Sequence, residues 1–300
     1  MKDVQVAHRK NLVVSSQPLK QPFEKHRILA PATKIQESKK SHARIHDQIL
    51  VDPYTGQLFM NAPGLELLFP MLVVRHGQTD GNRVRMFQGR VDNPLNEVGK
   101  EQVQRAAQQL YTQLEELFGA ALAEFAQSGK LIILKSPLSR AQETANAFIA
   151  YFKSHTGIAL DSRVEEKLAE ICFGALEGLT METIADEELR ALALRYRTTQ
   201  DATVDWKGTG ESFLDVVMRA NCLLEKLNTQ YQHQDVMVIA FAHGMLINAL
   251  RTVVGDKALL EENGRINFKK HEVNNAEAYW LGRSRQLAEK LCGSHTPPKN

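Results

Sequence analysis

Cysteine is scarce in this chain: three in 300 residues, at positions 172, 222 and 292. They are scattered, odd in number and lack the paired spacing of zinc ligands. That argues against a disulfide framework and fits inert thiols in a reduced, cytoplasmic setting. No apolar run approaches the roughly 18 residues that a membrane-crossing helix needs. The amino terminus has no signal-peptide apolar core, so export by that route is not expected. Carboxylates do not cluster as they would around magnesium, and neither a metal nor a cofactor is expected. His42 and His46 stand four residues apart, but no Cys or carboxylate beside them completes a ligand set. Internal repeats and low-complexity tracts are also absent.

What is present is ordinary in bulk and uneven in charge. Hydrophobic residues make up 43% and charged residues 24%, as in soluble globular proteins, and the net charge is +2. Residues 1–50 hold ten Lys and Arg against four Asp and Glu, which leaves 27 basic and 31 acidic residues in the rest. A mildly acidic body is a poor nucleic-acid binder, because such a binder needs a basic face. Residues 1–69 read as a basic extension, partly disordered or laid over the body, with Pro18, Pro22 and Pro31 among Lys, Gln and Ser. A solvated arm accounts for it most simply. Contact with anionic lipid, nucleic acid or a partner is an alternative, as is an organellar targeting segment. Within it, Asp52 to Phe59 carries the turn chemistry of a small hairpin. The body is expected over 70–283 and a polar tail over 284–300.

Within the body, short apolar runs alternate with amphipathic stretches. Leu72-Val73-Val74, Leu131 to Leu134 and Val236 to Ala242 read as buried strands, and Ala276 to Leu281 as a last one. Asn96 is placed to cap a helix whose Val103, Ala107, Leu110, Leu114 and Leu117 share a face. Ser139 and Gln142 have capping-box spacing before the apolar face of Ala141, Ala145, Phe148 and Phe152. Glu211-Ser212 opens a helix with a broad apolar stripe, and Met245 to Val254 forms another. Met181 to about Arg195 reads as an imperfect helix within a cap over 179–209. Strands alternating with helices indicate an α/β fold, a three-layer αβα sandwich around a mostly parallel sheet.

The chemistry gathers after the strands. Arg75-His76-Gly77-Gln78-Thr79-Asp80-Gly81-Asn82 follows the first; Ser136-Pro137-Leu138-Ser139-Arg140 follows the second; His243-Gly244 follows the third. In an open α/β sheet the ligand crevice lies outside the carboxyl ends of the strands, so two His and two Arg meet at one edge. Guanidinium, imidazole, hydroxyl and amide groups together can hold an oxyanion, and a neutral imidazole can attack phosphorus. Any one stretch alone would also read as a strand end with chance polar residues.

Taken together the motifs resemble the histidine phosphatase superfamily, the phosphoglycerate mutase-like enzymes, over roughly Met71 to Leu281. The resemblance rests on 75–82, Asp92-Asn93-Pro94-Leu95-Asn96, Ser136 to Ala145, Glu170 to Gly178, Gly210-Glu211-Ser212 and Ala242-His243-Gly244. It implies that His76 is the nucleophile, carrying a phosphohistidine that water hydrolyses. Arg75, Arg140, Asn82 and His243 would surround the phosphoryl oxygens, with Thr79 and the Gly244 backbone adding donors. Glu170 would be the general acid and base, although Glu177 lies near it. Gln88 and Gly89 could line the leaving-group side, and a structural turn explains them equally well. Relative to the mutases, Phe173, Met181 and Met245 stand where Tyr, Lys and Asn would contact a phosphoglycerate. A metal-independent phosphomonoesterase with a less polar leaving-group pocket is therefore expected, acting on a small phosphate ester or a phosphoprotein. A mutase-type phosphoryl transferase and a low-turnover phosphoprotein-binding module are the alternatives.

Overall fold

A computed structural model describes residues 47–293. The expectations for residues 1–46, including the His42/His46 pair, lie outside the described residues, as does 294–300. The described chain runs β1 (Ile49–Val51), β2 (Leu58–Met60), β3 (Met71–Arg75), α1 (Asp80–Arg83), α2 (Glu97–Phe118), α3 (Leu122–Gln127), β4 (Leu131–Lys135) and α4 (Ser139–Thr156). It continues with β5 (Ser162–Val164), α5 (Glu187–Thr199), α6 (Phe213–Tyr231), β6 (Met237–Ala242), α7 (Gly244–Val253), β7 (Arg265–Ile266), β8 (Ala278–Trp280) and α8 (Ser284–Gly293).

The main sheet has the order β5-β4-β6-β3-β8. All its pairings are parallel except that of β8 with β3. Alternate side chains of each central strand enter different cores. Val73, Leu134, Val238 and Ala240 join the apolar faces of α6 and α7, whereas Leu72, Val74, Ile133, Ile239 and Phe241 join those of α2, α3 and α4. This is the period-two geometry of a strand buried on both faces, and it makes the three layers. Burying each large apolar side chain contributes roughly 1.5–3 kcal/mol before conformational entropy is counted.

Several local expectations need correction. Residues 49–69 of the extension are packed on the body: Ile49, Leu58, Leu67 and Phe69 are buried in the same core as β3. The expected hairpin forms, and its second strand also pairs with β7, closing a separate three-stranded antiparallel sheet. The expected polar tail contains α8, whose Ser284, Ala288 and Cys292 are buried. Its apolar positions recur at helical spacing among many charges, a pattern easily taken for a solvated end. The cap helix begins at Glu187, with Asp186 accepting from the Leu189 amide, and not at Met181. Ser139 and Gln142 form no capping box: Asp92 reaches across to accept the Ser139 amide and hydroxyl, both at 2.8 Å, while Gln142 donates to the Pro137 carbonyl. Among the described residues no helix is long and apolar enough to cross a membrane.

Candidate active site

The sheet register brings the motifs together. Arg75 pairs with Ala242 across β3 and β6, and Lys135 pairs with Phe241 across β4 and β6. The next residues, His76, His243 and Ser136, therefore leave the sheet side by side. The His76 amide donates to the Ala242 carbonyl and the Ser136 amide to the Phe241 carbonyl, each at 3.0 Å. The turn after His76 has no room for side chains: a Cβ on Gly77 would lie 2.7 Å from the Gly99 carbonyl.

His76 is almost wholly buried, and its Nδ1 lies 2.6 Å from the Gly77 carbonyl oxygen. A carbonyl only accepts, so Nδ1 carries the hydrogen and Nε2 keeps the lone pair. Nε2 has no partner among the described residues, and the ring borders a cavity of about 360 Å³. The His243 ring is centred 5.1 Å from that of His76, and its Nε2 lies 2.7 Å from Ser136 Oγ. His243 stands behind the cavity wall rather than bordering it, and its Nδ1 is buried without a partner.

Arg75 and Arg140 both line the cavity. Arg140 donates through its two terminal nitrogens to the Val91 and Gly89 carbonyls, both at 2.8 Å, which leaves its buried Nε unpartnered. Arg75 donates Nη1 to the Val273 carbonyl, and its Nε is likewise buried and unpartnered. A Cβ on Gly244 would sit 3.4 Å from that Nε, so glycine keeps the approach open. Burial lowers the pKa of both arginines, opposed first by the charge of Glu170. An unmet buried N–H costs about 1–3 kcal/mol, and two of them beside one cavity call for an anion.

Glu170 also lines the cavity, with its carboxylate at the start of α7. It accepts from the Met245 and Leu246 amides at 3.2 Å and from the Ile171 amide at 2.9 Å. Glu177 does not border the cavity; its Oε1 accepts from the Arg90 and Phe173 amides and ties two loops together. Arg219 fixes the Glu170 loop from below, donating to the carbonyls of Lys167, Ala169 and Glu170 while paired with Glu211. The Gly-Glu-Ser motif thus acts through Glu211 and Arg219, a link that no local pattern reveals.

Asn82, Gln88, Gly89 and Gly244 line the cavity. The Asn82 Oδ1 already accepts from the Thr79 amide and from Asn275, so its NH₂ is what it can offer. Thr79 needs correction: it is wholly buried, caps α1 and donates to Gln88 Oε1 at 2.7 Å, and it does not border the cavity. Unforeseen lining residues are Asn248 and the loop residues Lys269, His271 and Glu272. Phe173 and Met245 are there as well, but Met181 is not. Asn275 donates to the His76 carbonyl at 3.0 Å, also unforeseen. Among the described residues no group of three or more His, Cys, Asp or Glu is placed to hold a metal ion.

Residues 71–286 match the family model described as histidine phosphatase superfamily (branch 1). The chain belongs to that superfamily. A glucosyl-3-phosphoglycerate phosphatase of Mycobacterium tuberculosis is 33% identical over 186 residues, 60% of this chain and 72% of the relative. The probable phosphoglycerate mutase GpmB of Escherichia coli is 28% identical over 216 residues, 71% of this chain and 88% of the relative. A bifunctional protein of M. tuberculosis is 33% identical over 171 residues, and the match spans only 40% of that relative's length. Among solved structures, the mycobacterial glucosyl-3-phosphoglycerate phosphatase in complex with VO3 aligns with a TM-score of 0.52 and 29% identity, covering 71% of this chain and 90% of that one. The relatives thus include both phosphatase and mutase names within one superfamily.

Burial, reinforced by Arg140, holds the pKa of His76 and of His243 well below the usual imidazole range. Unfolded, each ring takes up a proton as pH falls through about 6.5. Folded, it does so only at much lower pH. The unfolded state therefore binds more protons in that window, and stability that is complete above about pH 6.5 is lost progressively below it. Thermal melts across pH 4–8 should show this slope, and His243→Asn should flatten it.

Proposed function

We propose that the chain is a metal-independent phosphate-ester hydrolase working through a phosphohistidine on His76. The observation that carries this reading is the accessible lone pair of His76 Nε2 beside two buried, unpartnered guanidinium Nε–H groups. Nε2 attacks phosphorus; the P–N bond forms as the bond to the leaving oxygen breaks, and Glu170 gives that oxygen its proton. Water then attacks phosphorus, the P–N bond breaks back to neutral imidazole, and the Glu170 carboxylate takes the water's proton. Arg75, Arg140 and the Asn82 NH₂ hold the equatorial oxygens, where a loose transition state spreads its charge. His243 packs its ring against that of the nucleophile from behind the cavity wall, held there by Ser136. The guanidinium pair neutralises the phosphate, so no step calls on a metal.

A small phosphate ester fits a cavity of this size, and relatives named as phosphatases support hydrolysis. Phe173 and Met245 stand in the lining where the mutases carry Tyr and Asn, and neither can bond a phosphoglycerate carboxylate. The test is phosphate release from a broad ester panel, run alongside conversion of 3- to 2-phosphoglycerate. Release with slow interconversion supports the reading; fast interconversion makes the chain a mutase, and no release from any ester favours a binding module. Glu170→Gln should slow turnover of alkyl phosphates roughly 10²–10³-fold and of p-nitrophenyl phosphate far less, because a good leaving group needs no proton. Glu177→Gln keeps an acceptor for the Arg90 and Phe173 amides and should stay within about tenfold of the wild type. Equal losses in both variants would remove Glu170 from the acid role.

A further inference from the structure

The motifs build the phosphate end of the cavity, but the wall that a leaving group would meet comes from the loop after β7. Asn248 of α7 donates to the Phe268 carbonyl at 2.8 Å, and Phe268 stacks on Phe213 with ring centres 3.9 Å apart. The backbone leading into Lys269 is therefore anchored. Lys269 borders the cavity and is half-buried, with Nζ 3.5 Å from the centre of the Tyr196 ring and donating to the Tyr196 carbonyl.

No carboxylate pairs with this ammonium among the described residues. The charge that acts on it is a second cation, Arg197, whose guanidinium lies over the Phe87 ring. Glu272, further along the same loop, exerts its pull on Arg75. Burial and Arg197 together bring the Lys269 pKa down to about 7. A desolvated ammonium has three donors, and one carbonyl and an aromatic face do not balance its charge. Of the other residues around that wall, Met86, Phe173 and Met245 are apolar, Asn248 and His271 are polar, and Glu272 is the carboxylate whose charge acts on Arg75. Lys269 thus stands where an anion on the departing group would complete an ion pair shielded from water. The sequence-based expectation of a less polar leaving-group pocket is corrected here: the lysine arrives from a loop far beyond the position at which simple counting reaches Met181.

We propose that Lys269 anchors an anionic group, a carboxylate or a second phosphate, on the leaving-group side of the substrate. The chain would then select phosphate esters carrying a second anion over neutral sugar or aryl phosphates. This rests on the phosphate-pocket reading above. Phosphonates test it without turnover, because their P–C bond is not hydrolysed.

Calorimetric titration of the full chain should use phosphonocarboxylates of two to four carbons, the matched alkylphosphonates and the matched bisphosphonates. At the length that spans the cavity, the doubly charged ligands should bind about tenfold or more tightly than the alkylphosphonate. Lys269→Met should erase that preference, and Lys269→Arg should keep part of it. Met retains apolar packing on Tyr196 and Phe268, and thermal melts of both variants establish that they are folded. Tighter binding of the phosphonocarboxylate assigns a carboxylate, and of the bisphosphonate a second phosphate. The proposal is overturned if the wild type binds charged and uncharged phosphonates alike, or if Lys269→Met keeps the preference. Failure of every phosphonate to bind would instead sink the phosphate pocket itself, and this proposal with it.

Discussion

His76→Ala should lower phosphate release by roughly 10⁴–10⁶-fold, the scale on which loss of a nucleophile is felt when the rest of the site survives. The substitution removes the Nε2 lone pair but leaves both guanidinium groups in place, because Arg75 and Arg140 are held by the Val273, Val91 and Gly89 carbonyls rather than by the imidazole. Stability should change little above neutral pH. The ring makes one hydrogen bond, to the Gly77 carbonyl, worth about 1 kcal/mol net. Brief exposure to a labelled aryl phosphate followed by alkaline quenching should trap an acid-labile, alkali-stable phosphoryl group on the wild type and none on the variant. Residual turnover within tenfold of the wild type would transfer the nucleophile's role to water.

How far such a site could be read before the fold was known depended on whether each contact is local. Strands β3, β4 and β6 announce themselves because both faces are buried and the runs are continuously apolar. The residues just after them are placed by the sheet register. His76, Arg75, Arg140 and Gly244 therefore follow from sequence with little loss. The positions that did not follow are those whose role depends on a partner distant in the chain. Asp92 caps a helix in another segment, and Thr144 accepts the Gly77 amide. Asn275 holds the His76 carbonyl, and Lys269 reaches the cavity from beyond β7. Thr79 failed in the opposite direction. Its hydroxyl is the right chemistry for a phosphate, but the capping of α1 and Gln88 consume it first.

Arg140→Ala should cost both activity and stability, and the two losses have separate causes. Transition-state charge on the phosphoryl oxygens loses one of two fixed cations, which lowers kcat/KM by roughly 10²–10⁴-fold. The same truncation strips donors from the Val91 and Gly89 carbonyls at the base of the loop that carries Gln88. The Val91 carbonyl keeps the Asn93 amide, but the Gly89 carbonyl is left buried and unmet at a cost of about 1–3 kcal/mol, offset in part by relief of the Arg75–Arg140 repulsion. Arg140→Lys should not restore function: a single ammonium nitrogen cannot reproduce the planar fork that bonds two separate carbonyls through its terminal nitrogens and keeps Nε–H for the ligand. Urea melts give the stability loss, and phosphate release measured well below the melting midpoint gives the chemical one. Inhibition by inorganic phosphate separates them further, since a weaker phosphate site raises its inhibition constant whereas a loosened loop alone does not. If Arg140→Ala were destabilised yet held kcat/KM within tenfold of the wild type, Arg140 would be a clamp for the 88–92 loop and Arg75 would carry the phosphoryl group alone.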